Sequence, residues 1–135
     1  MPYTIHREPQ GVYVRYVGHI TAAEMIKSVE EVTADPNFIH FRYRINDFLA
    51  VTGYTFQPSD MEYVAAISYG GAQSHVVAGF TGLIAQVATD ERQIAILKQY
   101  TAMKLAPYIF NIVPDVQQAR AWIAGQLRLQ AVHSG

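Results

Sequence analysis

Stretches with an apolar residue at every second position alternate along this chain with stretches whose apolar residues recur every three or four, and nothing else in the sequence restricts the fold as much. Val12, Val14 and Tyr16 alternate with Tyr13, Arg15 and Val17 between Gly11 and Gly18, the pattern of a strand covered on one face. Before it, Tyr3 and Ile5 alternate with Thr4 and His6, and Arg7-Glu8-Pro9-Gln10 supplies a turn, so the chain opens on a hairpin. Ala22, Met25, Ile26, Val29 and Val32 then fall on one helical face. Thr21, with Glu24 three residues on, forms a capping box at its start, and Asp35 stops it because Pro36 follows. Phe41, Tyr43 and Ile45 against Arg42, Arg44 and Asn46 mark a strand that ends at Asp47.

Beyond a loop over 48–58, Ser59 with Glu62 repeats the capping signature ahead of a helix that passes Gly70-Gly71 toward Val76. Leu83 to Ala88 is a short interior strand, since it carries so little polarity. Asp90 with Gln93 opens a third helix to about Ala106, which Pro107 stops, and Tyr108 to Val113 is the last strand. Asp115 with Gln118 caps a fourth helix, whose Val116, Ala119, Ile123 and Leu127 share a face. The order predicts an α/β domain over 1–128 with a mostly parallel sheet of about five strands, followed by a tail over 129–135.

At 135 residues with half of them hydrophobic, the chain suits one domain that buries about two thirds of its unfolded surface without a staple. It has no cysteine, which removes disulfides, thiolate nucleophiles and cysteine-based metal sites. His6, His19, His40, His75 and His133 are scattered and never at the i, i+2 or i, i+4 spacing of metal ligands, so neither a metal nor another cofactor is expected. The adjacent Glu30 and Glu31 sit on the polar side of the first helix, and Gly79 to Gly82 lacks the spacing of a phosphate loop. With ten basic and eleven acidic residues there is no electrostatic footprint for nucleic acid. No signal peptide or membrane span is read, and a cytoplasmic location is expected.

The least ordinary feature is the absence of lysine and arginine from Ile45 to Glu91, a stretch that holds Phe48, Tyr54, Phe56, Tyr63, Tyr69 and Phe80. Some of these aromatics must be core; the set either serves ordinary core and loop packing or outlines a pocket or contact surface built from the 48–58 loop and the second helix. The third helix adds to it. Ile94, Leu97, Thr101 and Leu105 form one stripe and Ile96, Tyr100 and Met103 another roughly opposite, so a single core cannot hide both. Either a second subunit or an apolar ligand covers the latter, or the helix is sandwiched within its own fold. Arg15, Arg42 and Arg44 lie on polar strand faces, where pairing with acids or lining an interface explains them better than RNA does.

Gly11 and Gly18 around the second strand, Thr21 with Glu24, Asp35-Pro36-Asn37-Phe38, Asp47 closing a strand and Ala119 three residues before Trp122 together resemble the SpoIIAA-like branch of the STAS superfamily, the sulphate-transporter and anti-sigma-factor antagonist domains. The match covers roughly residues 8 to 128. The resemblance implies four helices packed mainly on one face of the sheet, a fold related to CRAL-TRIO lipid-binding domains, and work through protein contacts or a small apolar, lipid-like ligand. In the antagonists a serine at the start of the second helix is phosphorylated to switch partners. Ser59 occupies the comparable place, although Thr52-Gly53 to Pro58-Ser59 stands where their Asp-Ser-Ser-Gly-Leu signature would be.

The function expected is therefore a non-catalytic regulatory or binding module, a homodimer with a regulatory protein partner or a small apolar ligand. Its contact residues are Phe48, Tyr54, Phe56, Tyr63, Tyr69, Ile96, Tyr100 and Met103. The alternative is a small-molecule enzyme with a pocket near residues 47–58, in which Asp47 is the best-placed carboxylate.

Overall fold

A computed structural model describes residues 2–79, 81–102 and 108–134. The elements run β1 (Tyr3–Glu8), β2 (Gly11–Thr21), α1 (Ala22–Thr33), a 3-10 turn (Phe38–His40), β3 (Tyr43–Thr55), α2 (Pro58–Ala78), β4 (Leu83–Val87), α3 (Glu91–Ala102), β5 (Ile109–Val113) and α4 (Val116–Ser134). The five strands lie in one sheet in the order β1-β2-β3-β4-β5. β1 pairs antiparallel with β2, and every later pair is parallel. The expected α/β architecture is thus what forms.

Two cores sandwich the sheet. On one face Val12, Val14, Tyr16 and Ile20 of β2 and Phe48 of β3 pack beneath Val32 of α1 and Leu97 of α3. On the other, Ile45, Leu83, Ala85 and Val87 meet Ala119 and Ile123 of α4. Three helices therefore take one face and α4 alone takes the other. All five residues of β4 are buried, as the apolar run Leu-Ile-Ala-Gln-Val requires of a strand covered on both sides. The same double cover explains why Ile45, Asn46, Asp47 and Phe48 are consecutively buried.

The helix starts are chemically explicit. Thr21 Oγ1 accepts the Glu24 N–H at 3.2 Å while the Glu24 carboxylate accepts the Thr21 N–H at 3.0 Å. Asp90 Oδ1 accepts from the N–H groups of Arg92 and Gln93, and Asp115 Oδ1 accepts from Gln118 at 2.7 Å. The start of α2 differs from expectation. Asp60 Oδ2 accepts the Gln57 N–H at 2.8 Å and Pro58 occupies the first helical position, where its missing N–H costs nothing, so Ser59 lies inside the first turn and does not cap it.

Two further boundaries differ. β3 runs on to Thr55 where a loop from 48 was expected, because β2 also continues and pairs with it from Val17↔Ala50 to Thr21↔Thr55. The pairing passes two register shifts, at Arg15/Val17 and at Gly18/His19, and Gly18 beside the second holds a φ of +78°, a conformation costly for any residue with a side chain. α4 continues through Ser134 where a tail over 129–135 was expected, and Gln130 Nε2 donates to the Thr81 carbonyl at 3.1 Å. Met103 and the end of α3 toward Ala106 lie outside the described residues.

The first turn of α4 is bound to the amino-terminal hairpin by charge. Arg120 Nη1 and Nη2 donate to Glu8 Oε1 and Oε2 at 2.9 and 2.7 Å, and the Tyr43 hydroxyl donates to Glu8 as well. The hydrogen bonds from Arg120 hold the Glu8 carboxyl below the usual carboxylate range. Glu8 thus contributes stability that is present above the ordinary glutamate pKa and lost as pH falls through its lowered folded value. Arg120→Gln is expected to cost about 1 kcal/mol at pH 7, the upper end for a partly exposed pair because this one is bidentate. The cost should shrink as pH falls below about 4.5. Urea unfolding of both proteins across that window checks it.

Candidate functional site

The pleat of β3 carries Arg44, Asn46 and Phe48 on the face beneath α1, α2 and α3, and β4 adds Ile84 and Gln86 beside them. Helices cannot close tightly over so uneven a floor. A cavity of about 80 Å³ remains above these five residues, with walls of Met25 and Val29 of α1, Phe56 ahead of α2, Val64 of α2, and Ile96 and Leu97 of α3, and with Asp60 of α2 as the one charged group among them. A smaller cavity of about 40 Å³ adjoins it and shares Val29, Arg44 and Ile84.

The walls are otherwise apolar but the floor is a hydrogen-bonded chain. Arg44 Nε donates to Asn46 Oδ1 at 2.6 Å and Nη2 donates to the Tyr16 hydroxyl at 2.9 Å. Asn46 Nδ2 donates in turn to Gln86 Oε1 at 2.9 Å. Ser28 Oγ spends its one proton on the Met25 carbonyl at 2.7 Å, so across the 2.7 Å contact with Tyr16 it accepts and the tyrosine donates. Tyr16, Ser28, Asn46 and Gln86 are all buried. Among the described residues no carboxylate lies within ion-pair distance of the half-buried Arg44, although Asp60 lines the same cavity. The expectation that Arg44 pairs with an acid or lines an open interface is not met, because α1 to α3 cover its face of the sheet.

The structure brings part of the expected contact set to this cavity. Phe48 is buried and stacks on Tyr16 with ring centroids 4.9 Å apart. Phe56 and Ile96 line the walls. Tyr54 stands behind them, 5.0 Å from the Phe56 ring and 6.3 Å from Phe48, and burial pushes its hydroxyl above the ordinary tyrosine range. Tyr63 and Tyr69 are not part of it. They are 52% and 48% exposed on α2. Ser59 is also exposed, in the first turn of that helix. Of the second stripe on α3, Ile96 faces the cavity, while the Tyr100 side chain and Met103 lie outside the described residues.

Asp47 does not serve a pocket near 47–58. It points to the α4 face, opposite the cavity, because neighbours in a strand alternate sides. Its carboxylate accepts from the Tyr13 hydroxyl and from the Leu49 N–H at 3.0 Å. Burial and that bond push the Tyr13 hydroxyl up to about 12, which keeps it a donor. At about 80 Å³ the cavity is smaller than the ~150 Å³ that admits benzene, so it does not enclose a long acyl chain.

Sequence reasoning misses the floor. The available signals are Gln86, the one polar residue of an otherwise apolar interior strand, and Arg44 and Asn46 two apart and so on one side of β3. Among the described residues no group of three or more histidine, aspartate or glutamate side chains is placed to hold a metal ion, and no helix is long and apolar enough to cross a membrane.

The mostly parallel sheet in chain order, with an antiparallel opening strand and helices divided three to one between its faces, is a SpoIIAA-like fold. An uncharacterized protein of the DUF3478 family from Shewanella loihica PV-4, with a SpoIIAA-like fold, superposes with a TM-score of 0.56 at 16% identity, over 90% of this chain and 91% of that one. The anti-sigma factor antagonist SpoIIAA in its unphosphorylated form superposes with a TM-score of 0.53 at 10% identity, over 91% and 98%. No family model and no curated protein sequence matches the chain.

Proposed function

We propose that this protein is a non-catalytic regulatory module in which a small molecule occupies the cavity beneath α1, α2 and α3, and occupancy sets how those helices are presented to a protein partner. The observation that carries this is the make-up of the cavity. A core shaped for stability alone would be filled, and would hold apolar residues in place of Arg44, Asn46 and Gln86. The one carboxylate that sequence reasoning offered for catalysis faces the other way, which favours binding over an enzyme. The fold shared with an anti-sigma factor antagonist supports a partner protein, and the exposed Tyr63 and Tyr69 on α2 are the contact surface we assign to it. Ser59, exposed in the same helix, is the position we assign to phosphorylation, where the helix N-terminus favours negative charge.

Thermal melting against a chemically diverse set of small molecules tests the cavity, with Val64→Phe as the variant that fills it. At least one compound should raise the melting temperature of the wild type and leave that of Val64→Phe unchanged. If no compound does so, or every active compound shifts both proteins equally, the cavity is not a binding site.

A further inference from the structure

We infer that the cavity takes a short-chain organic monocarboxylate whose carboxylate is gripped by Arg44. This rests on the cavity being a ligand site and adds the chemistry of the ligand.

The charge comes first. The guanidinium group is a fixed cation, and the walls of the cavity that Arg44 lines are methionine, valine, phenylalanine and isoleucine side chains together with Asp60. Asp60 lines the same cavity, but among the described residues no carboxylate comes within ion-pair distance of this cation, so a direct ion pair is left for a ligand to make. The geometry then selects the anion. One edge of the guanidinium is already engaged, Nε by Asn46 and Nη2 by Tyr16. Those two bonds fix the plane of the group before a ligand binds. What remains is the end-on edge, one N–H from each of Nη1 and Nη2, and two parallel donors match the two oxygens of a carboxylate. No protein acceptor among the described residues meets Nη1.

Asp60 favours a single negative charge on the ligand over two. It also lines the cavity, its Oδ2 accepting from the Gln57 N–H, and each negative charge on a ligand is repelled by that carboxylate, so a monoanion is disfavoured less than a dianion such as a phosphate monoester. Volume sets the length. Scaled from the ~150 Å³ that holds benzene, the cavity has room for a tail of about three or four carbons. The guanidinium borders both the larger cavity and its smaller neighbour, so the head lies against the sheet and the tail points toward Phe56 and Ile96.

Isothermal titration of the full chain with butyrate, its neutral amide butyramide, and decanoate tests the inference, in the millimolar range suited to ligands of so few atoms. Butyrate should bind at least tenfold more tightly than butyramide and no less tightly than decanoate. Arg44→Gln should weaken butyrate at least tenfold and leave butyramide unchanged. If that variant does not fold, the Arg44 Nε–H resonance of the wild type is read instead, and it should move with butyrate and stay still with butyramide. Equal binding of butyrate and butyramide overturns the carboxylate and leaves the cavity a ligand site. Tighter binding of decanoate overturns the short chain. Binding of none of the three overturns the inference, and the melting comparison with Val64→Phe then decides separately whether the cavity binds anything.

Discussion

Tyr16→Ala is expected to cost about 3–5 kcal/mol, the range for removing a large aromatic from a well-packed core. The ring is fully buried, stacks on Phe48 and lies 6.1 Å from Tyr3, so its loss opens the core under α1. Its hydroxyl also links two elements, accepting from Arg44 and donating to Ser28. Tyr16→Phe keeps the ring and removes only that link, and should cost about 1–3 kcal/mol because one Arg44 N–H loses its acceptor and Ser28 its donor. The difference between the variants, read from urea unfolding at pH 7, separates packing from hydrogen bonding. Near-equal losses would mean that the hydroxyl carries the stability and the stacking little. Because Tyr16 fixes one nitrogen of Arg44, Tyr16→Phe should also weaken butyrate binding in a protein that still folds.

Ile45→Ala is expected to cost about 2–5 kcal/mol, depending on how far its surroundings collapse. Ile45 is fully buried on the face covered by α4 alone, against Leu83, Ala85, Ala119 and Ile123. One helix has less freedom to close a gap than three packed against each other, so the upper half of that range is expected. Hydrogen exchange should accelerate most in α4 and the strands beneath it, while α1 keeps most of its protection. Uniform acceleration through both faces would show that the two cores do not open separately. Tyr16 and Ile45 lie on opposite faces and share no partner, so their losses should add to within about 0.5 kcal/mol.

Much of the fold was legible because local rules and tertiary demands agree. The capping residues at Thr21, Asp90 and Asp115 act as their spacing implies, and the apolar run at Leu83 is buried on both sides as an interior strand must be. The second half of β3 was not legible. Phe48-Leu49-Ala50-Val51 breaks the alternation and Gly53 follows it, so only pairing with a β2 extended past Gly18 makes it a strand, and pairing is invisible to a local pattern. At α2 two capping patterns overlap, and Asp60 prevails over Glu62 because Pro58 has already set the first helical position.

The candidate site was half legible for a related reason. Phe48 and Phe56, which line the cavity, stood out through composition as core or pocket aromatics, whereas Arg44 and Asn46 belong to a polar strand face that ordinarily meets solvent. Three helices cover that face here, and covering it turns an ordinary alternation into a buried polar floor. No periodicity in β3 alone says which of its two faces will be roofed. Of the α1 residues read as core, Val29 is buried and Met25 packs half-buried against the core, and both wall the cavity as well.

The sheet is laid down in the same order as the chain, each strand pairing only with those before and after it in sequence. No strand has to be threaded between two already joined. A sheet of this kind can grow from one edge while the chain is still being made, each new strand and helix docking on an edge that its predecessor has just completed. The cavity is finished only when α3 arrives, after the first four strands are in place. An emerging chain would therefore acquire its scaffold first and its capacity to hold a ligand late, and a small carboxylate would act on the last stages of assembly while leaving the first untouched.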